Sequence, residues 1–572
     1  VILRQEERQL SVDRLVVEAW IARDPDEQTR AELQQLLEAG NDAELEDRFA
    51  GRLEFGTAGL RGMLGAGPMR MNRLVVRQTA SGLASHLLST VPDASSRGVV
   101  VGCDARRLSA EFALDTALVL AARGIAVHLF EGIVPTPVVA FAVRHHGAAA
   151  GAMVTASHNP PEYNGFKVYG ESGAQIIPPQ DQAIATAIDE ASKTDIPLAS
   201  VEHAQSQGLL RCLGKETVEI YLEGVARLSL HQRTTTREQL VLAYTPLHGV
   251  GAQTALEILE RAGFSQVHVV ESQRQPNGSF PTVRFPNPEE KGAMDAVLAL
   301  AARVGADLAC ANDPDADRLA AAVRTPCGHY RMLSGDELGV LLGWDRLAHG
   351  PVGTVVGSTI VSSSLLHRIA ASFGAPSYET LTGFKWLASQ AMMRDAGGAV
   401  PVFAYEEALG YGLMHFVRDK DGLSALVSLC ELAAALKDTS QTLLGQLEAL
   451  YREHGLVLTG QRTIALSPGS PSLGQLLRDA LPTTVGGLRV VEIIDLIDGS
   501  LSLPPSDVLV FHLQGGFRAI VRPSGTEPKV KCYYEIEDTV AQDETLEQAE
   551  ARARQTLANL ADAHLSELRA LV

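Results

Sequence analysis

The sequence predicts an α/β protein: three related α/β mixed-sheet domains and a smaller C-terminal α+β domain around one central cleft. Three observations predict this. The chain has 572 residues, enough for about three to five domains. One strand–loop–helix–strand pattern recurs three times. After about residue 455 it gives way to short strands, turns and a charged final helix. Hydrophobic residues make up 46% and charged residues 20%, so each domain can bury a core.

Taken in order, residues 1–50 read as helical. AELQQLLEAGNDAELEDRF has helical spacing and strong formers, with Gly40 placed to cap a helix C-terminus. FGTAGLRGMLGAGPMR is so rich in glycine that it reads as a loop in close contact with other backbone. The first repeat is RGVVVGCDARRLS, AEFALDTALVLAARG and IAVHLFEG. The second is QLVLAYTPLHGVG, AQTALEILERAG and SQVHVVES. The third is GTVVGSTIVSS, SLLHRIAASFG and APSYETLTG. Their helices end at Gly124, Gly263 and Gly374. Continuous apolar strands joined by crossover helices indicate parallel sheet covered on both faces. The copies lie too far apart for a solenoid. The expected domains are 1–205, 206–326, 327–455 and 456–572. The sequence lacks low-complexity linkers, so they are expected to pack together.

Forty-nine Lys and Arg against 68 Asp and Glu give 49 − 68 = −19. That balance argues against a nucleic-acid binder with a broad basic face. No run of 18 strongly apolar residues occurs, which argues against a membrane span. The six cysteines are scattered, without a CxxC pair, and read as reduced thiols. VILRQEERQLSVDRL carries charge where a signal peptide needs apolar residues. A cytoplasmic protein is expected.

Several motifs carry chemistry. Thr155-Ala156-Ser157-His158-Asn159-Pro160-Pro161 follows a small-residue strand. Its prolines forbid a regular helix, leaving either a plain polar turn or a well-positioned hydroxyl. Asn312-Asp313-Pro314-Asp315-Ala316-Asp317-Arg318 sets three carboxylates at alternate positions, on one side of an extended segment. Such crowding is costly without a cation, and hard oxygen ligands favour Mg²⁺ or Ca²⁺. Arg318 and Arg324 stand where an EF-hand needs Gly and Glu. A magnesium site with positions open to water or phosphate is preferred over a solvated acidic turn. Arg522-Pro523-Ser524-Gly525-Thr526-Glu527-Pro528-Lys529 combines cations, hydroxyls and exposed backbone N–H groups, as in a phosphate cradle or a charged hairpin turn. Tyr405-Glu406-Glu407-Ala408-Leu409-Gly410 could accept sugar hydroxyl protons or cap a helix. Thr382-Gly383-Phe384-Lys385 could offer a cation to a phosphate. Gly249-x-Gly251, between a strand and a helix and with Glu271 downstream, imitates a dinucleotide fingerprint, but Thr254 replaces its third glycine.

Together these residues resemble the α-D-phosphohexomutase superfamily. TASHNP looks like its phosphoserine loop, DPDADR its magnesium loop, YEEALG its sugar loop and RPSGTEPK its phosphate-binding loop. They come in the family's order, one per domain. FGTAGLRGMLGAGPMRMN, FPTVRFPNPEEKGAM, ELGVLLGW, TGFKW, EEALGYG and VRDKDGLSA resemble the branch of phosphoglucomutase 2, phosphopentomutase and related bacterial enzymes.

The resemblance implies an intramolecular phosphotransfer. Ser157 would carry a phosphoryl group, donate it to a sugar monophosphate, and take back the other phosphate of a sugar 1,6-bisphosphate intermediate. That bisphosphate would also be the activator. Asp313, Asp315, Asp317 and Ser157, through its phosphate, would hold one Mg²⁺. Lys167 matches a family position implicated in acid–base work. Its pKa is expected to be lowered by neighbouring cations. Arg61 matches an active-site arginine. His158 would orient the phosphoserine or brace its loop. Arg318 would clamp the transferring group. Gly383, Lys385 and Glu406 would contact the substrate, and Arg522, Ser524, Gly525 and Thr526 would hold its distal phosphate. Ala408 replaces a serine common in hexose-specific members, which leaves the sugar open. Glucose is the leading expectation, with phosphopentomutase, phosphomannomutase or sugar-1,6-bisphosphate synthase as alternatives. The expected partners are small sugar phosphates, not nucleic acid or membrane, acting on a monomer or homodimer. A nucleotide-dependent oxidoreductase using the Gly249 turn and a non-catalytic sugar-phosphate binder are the rivals.

Overall fold

The computed structural model describes residues 12–54, 59–395, 400–466, 472–500, 503–523 and 529–571. The N-terminal region is helical over Arg14–Arg23, Glu27–Ala39 and Asp42–Phe49, and Gly40 caps the second helix at φ 61°. The glycine-rich segment departs from the expected loop. Residues 55–58 lie outside the described residues, but Leu60–Met63 forms a strand, β1. Its glycines permit close strand approach: a Cβ on Gly59 would sit 2.1 Å from the Phe166 carbonyl oxygen.

The first sheet holds β1, β2 (Val99–Cys103), β3 (Val127–Phe130), β4 (Ala150–Val154), β5 (Tyr163–Gly170) and β6 (Leu210–Leu213). The second holds β7 (Val241–Thr245), β8 (Gln266–Val269), β9 (Leu308–Asn312), β10 (Leu319–Arg324) and β11 (Tyr330–Met332). The third holds β12 (Val355–Thr359), β13 (Ser377–Thr380), β14 (Val402–Glu406) and β15 (Gly410–Leu413). One four-strand core is common to all three. Its spatial orders are β5-β4-β2-β3, β10-β9-β7-β8 and β15-β14-β12-β13. In each, the three strands that come first along the chain are parallel and the last, β5, β10 or β15, turns back antiparallel at the edge of the four. The expected crossover helices are Ser109–Ala122, Ala252–Ala262 and Leu365–Ser372. Gly124, Gly263 and Gly374 follow them with positive φ.

The expected boundaries at 205 and 326 cut two sheets short. β6 pairs with β3, and β11 pairs with β10. Both are edge strands of three or four residues, too short to announce themselves by alternation. The fourth unit is an antiparallel sheet of β16 (Leu456–Ala465), β17 (Thr484–Val485), β18 (Leu488–Asp495), β19 (Leu509–Leu513), β20 (Arg518–Pro523) and β21 (Lys529–Asp538), covered by the helix Leu546–Arg569. One continuous apolar core takes residues from all four units, among them Val138, Leu242, Leu426 and Ile536. The units are packed together, as the absence of linkers predicts. No described helix is long and apolar enough to cross a membrane.

This repetition positions the chemistry. The serine motif joins β4 to β5, the aspartate motif joins β9 to β10, and the glutamate motif joins β14 to β15. Each is the same hairpin connection in its repeat. Each also bends through one non-glycine residue in the left-handed region: Ser157 at φ 51°, Ala316 at 60° and Leu409 at 63°. Such conformations persist only where the surroundings enforce them.

Candidate active site

Each hairpin is braced by the loop that follows the first strand of its own repeat. After β2, Arg106 reaches across the serine loop. Its guanidinium donates to the carbonyls of Ser157 (2.6 Å), Asn159 (2.5 Å), Pro160 (2.8 Å) and Tyr163 (3.1 Å). After β7, the Val250 N–H donates to the Pro314 carbonyl at 2.8 Å. After β12, the hydroxyls of Thr359 and Ser362 donate to Glu407.

The glycines of the apparent nucleotide fingerprint find their reason here. A Cβ on Gly249 would lie 2.4 Å from Pro314 backbone atoms, and one on Gly251 would lie 3.0 Å from the Ala316 Cβ. The aspartate loop fills the space that a pyrophosphate would need, so the oxidoreductase reading is set aside. Gly249→Ala should destabilise the protein by about 1–3 kcal/mol, as overpacking of a tight contact does, and should lower activity by displacing the aspartate loop. Urea denaturation checks it, and an unchanged midpoint would contradict the contact.

The serine and aspartate loops meet. Ser157 is 2% exposed, and its hydroxyl donates to Asp313 Oδ2 at 2.8 Å. His158 Nδ1 lies 3.2 Å from the Ser157 hydroxyl oxygen. Burial, then Arg318, Arg61 and Lys167, hold His158 far below the usual imidazole range. The ring is therefore neutral, and the same burial and cations disfavour its protonation. Arg61 donates to Asn159 Oδ1 at 2.9 Å, bracing the serine loop from β1.

Asp313, Asp315 and Asp317 are each at most 1% exposed. They bring one carboxylate oxygen apiece to within 4.8 Å of the others. Asp315 Oδ1 and Asp317 Oδ1 are buried without a hydrogen-bond partner. Burial, then repulsion from Asp315 and Asp317, drives Asp313 far above the usual carboxylate range. Two orphaned oxygens in an all-oxygen donor set fit a hard divalent cation, and Mg²⁺ fits because it commonly takes a few carboxylates and keeps further positions for water or phosphate.

Lys167 corrects one expectation. It lies on β5 with its ammonium 2.8 Å from both Asp315 Oδ2 and Asp317 Oδ2. Burial disfavours its charge, but the Asp315, Asp317 and Asp419 carboxylates outweigh burial and hold the ammonium well above the ordinary lysine range. The expected lowering assumed cationic neighbours. In the fold, carboxylates are closer.

The third hairpin touches the second. Arg318 donates to the Ala408 carbonyl at 2.8 Å, and Glu406 accepts from the Gly383 N–H at 3.2 Å. Glu407 turns inward. Burial, then the Glu406 and Asp336 carboxylates, push it up to about 8. The folded protein therefore keeps a proton that the unfolded chain, with an ordinary value of 4.5, gives up. This contribution to stability is present below that unfolded value and is lost as pH rises through the folded one. Glu407→Gln should flatten the fall in unfolding midpoint between about pH 5 and about pH 9. Wild-type pH dependence in that variant would contradict the assignment.

Lys385 is buried on the helix Phe384–Asp395, 4.0 Å from Asp181 and beside the Trp386 ring. It makes no direct contact with the serine–aspartate centre among the described residues. In the fourth unit, Ser524, Gly525 and Thr526 lie outside the described residues. Arg522 lies directly across from Lys531 in the β20–β21 ladder. Burial, then Arg522 and Lys529, lower Lys531 from its usual value. Like charges paired across strands are destabilising on their own and suit an anion.

Sequence reading missed four of these residues. Arg106 and Thr136 act through the fold: the Thr136 hydroxyl donates to Asp315 Oδ2 at 2.6 Å. Lys420, 3.2 Å from Asp317 Oδ2, sits in a motif noted only as a branch marker. Lys531 emerges only from strand register.

A hydroxyl against a buried carboxylate trio, with Lys167, Arg318 and Lys420 converging on it, suits transfer of a phosphoryl group: the donor set can hold a metal and the cations can neutralise phosphate. The comparisons agree with that class. Residues 52–195, 219–328 and 334–451 match the phosphoglucomutase/phosphomannomutase alpha/beta/alpha domains I, II and III, and 481–553 matches the C-terminal domain. The chain belongs to this family of phosphosugar mutases, in the α-D-phosphohexomutase superfamily. It is 36% identical over 551 residues to a phosphopentomutase of Mus musculus, covering 90% of this chain and 89% of that protein. It is 40% identical over 474 residues to a probable phosphomannomutase of Haemophilus influenzae, covering 81% and 93%. A crystal structure of a putative phosphomannomutase from Thermus thermophilus aligns with TM-score 0.66 and 25% identity, covering 90% of this chain and 99% of that one.

Proposed function

We propose that the protein interconverts the 1-phosphate and 6-phosphate of a hexose, glucose foremost, through a phosphorylated Ser157 and a sugar 1,6-bisphosphate. The observation that carries this reading is the Ser157 hydroxyl set 2.8 Å from a buried aspartate trio. Mg²⁺ bound by Asp313, Asp315 and Asp317 would supply charge neutralisation to the phosphoryl group.

The remaining steps belong to side chains. Arg106 fixes the serine-loop backbone through four carbonyls, so the Ser157 oxygen is positioned before substrate arrives. The Ser157 O–P bond breaks as the sugar hydroxyl oxygen forms its own bond to phosphorus, and the hydroxyl proton must leave. His158, beside the Ser157 oxygen, and Lys167, on the aspartates next to it, are the groups we assign to receive that proton; Lys167 must first pass its own proton to a neighbouring carboxylate. Arg318 stands beside Asp317 to meet charge on the transferring group. Glu406 accepts sugar hydroxyl hydrogen bonds. Arg522, Lys531 and the 524–526 segment hold the distal phosphate. The bisphosphate then presents its other phosphate, and Ser157 takes it back, regenerating the phosphorylated serine.

Lys531→Met should raise KM for the sugar phosphate about tenfold, the loss of one charge-assisted hydrogen bond of roughly 1.5 kcal/mol, with a smaller change in kcat. A normal KM would remove Lys531 from the phosphate site. The substrate is tested by coupled assays with Mg²⁺ on the 1-phosphates of glucose, mannose and ribose. The highest kcat/KM is expected on glucose 1-phosphate, and a preference for ribose 1-phosphate would make the enzyme a phosphopentomutase instead. The acidic surface and the absence of a membrane-crossing helix among the described residues are consistent with the cytoplasmic placement we propose.

A further inference from the structure

A second group of metal-ligating side chains lies outside the serine–aspartate site and shares no residue with it. It comprises His231, Asp345 and His349. His231 lies in the loop before β7, in the second unit. Asp345 and His349 lie on the helix Gly335–His349 of the third unit, four residues apart and so on one face. The Asp345 side chain is 3% exposed. A single oxygen of it, Oδ1, meets both imidazoles, His231 Nε2 at 2.8 Å and His349 Nδ1 at 2.9 Å.

We propose that these three side chains form a binding site for a zinc-class divalent cation, which ties the second α/β unit to the third. Four observations support the site. The three donor atoms already lie within 4.8 Å of one another. Tetrahedral coordination at ordinary zinc bond lengths separates ligand atoms by about 3.3 Å, so each imidazole needs to withdraw only about half an ångström from Oδ1. The donors are two imidazole nitrogens and one carboxylate oxygen, a set that selects zinc, cobalt or nickel over magnesium. The His349 side chain is 42% exposed, so a fourth position is open to water. The carbonyl-rich end of the helix, where His349 is the last residue, adds favourable negative potential.

The scaffold is also prepared. The His231 carbonyl is held by Arg237 at 2.6 Å and by the Ser229 hydroxyl at 3.2 Å. Arg237 itself forms a buried ion pair with Glu431 at 2.8 Å. The Trp344 ring stands edge-on to His349 at 5.6 Å between centroids. One ligand thus comes from a braced loop and two from a packed helix.

The test uses the full-length protein stripped of metal and titrated with Co²⁺ and then Zn²⁺. Wild type, His349→Ala, His231→Gln and Asp315→Asn are compared. The last variant removes a ligand of the aspartate trio, so the two sites are told apart. Cobalt should give the visible bands of low-coordinate, nitrogen-ligated metal in wild type and in Asp315→Asn. These bands should vanish in both histidine variants. Zinc affinity in His349→Ala should fall by at least the roughly 10–100-fold that loss of even an outer ligand partner costs. Zinc should raise the melting temperature of wild type and Asp315→Asn but not of His349→Ala. His349→Ala also removes a hydrogen bond to the buried Asp345, so the zinc-induced rise is read against each variant's own metal-free melting temperature. Bands that persist in both histidine variants, bands that disappear only in Asp315→Asn, or no bands in any protein would each overturn the proposal.

Discussion

Ser157→Ala is expected to lower mutase turnover by roughly 10⁴- to 10⁶-fold, the scale on which removal of a covalent nucleophile acts. The change deletes one oxygen. Ser157 is almost fully buried, and Arg106 grips the loop through backbone carbonyls that alanine retains. The fold should therefore survive. Alanine tolerates φ 51° about as poorly as serine, so the strain at this position is little changed. The loss then reports chemistry. Sugar-phosphate binding should persist, because Arg522 and Lys531 lie in another unit. A variant that binds but does not turn over separates the mutase from a non-catalytic binder, in which Ser157 would be irrelevant. Near-normal turnover in Ser157→Ala would remove serine phosphorylation from the mechanism.

Asp315→Asn should cost about 10²–10³-fold in kcat, comparable to loss of one preorganised electrostatic group in an active site. Asp315 has three roles in the fold. It accepts from Lys167 and from the Thr136 hydroxyl, and it offers an orphaned oxygen to a cation. Asparagine keeps the shape and loses the charge. A second readout is independent of turnover. Mg²⁺ should raise the melting temperature of wild type, because a ligand that binds only the folded state stabilises it by mass action. The rise should be much smaller in Asp315→Asn. An equal Mg²⁺ response in both proteins would count against the aspartate trio as the metal site.

Much of this was legible in the sequence because it is periodic. The three strand–helix–strand copies announced themselves by continuous apolar strands and glycine-capped helices. Their shared four-strand core was not legible, because the return strands β5, β10 and β15 pair only after folding. The functional loops were visible as local exceptions. Prolines interrupt helices, and crowded carboxylates or clustered cations need partners that the local chain does not supply. What escaped was long-range. Arg106 braces a loop about fifty residues away, and Lys531 faces Arg522 only through strand register. The sign of the Lys167 shift depended on whether cations or carboxylates lie nearest, which spacing along the chain does not set. The Gly249 turn misled for a related reason. Its glycines serve close approach, but the approaching group is the aspartate loop, 65 residues further on, and not a nucleotide.

In the proposed reaction, Ser157 holds a phosphoryl group that it gives to a sugar phosphate. Intact-mass and peptide mass spectrometry of protein charged with a sugar 1,6-bisphosphate tests it most directly, followed by addition of excess sugar monophosphate. One added phosphoryl group is expected, confined to the peptide containing Ser157 and absent from Ser157→Ala. The monophosphate should then discharge this group to form bisphosphate. A phosphoryl group on another residue, or one on Ser157 that the monophosphate leaves in place, would contradict it.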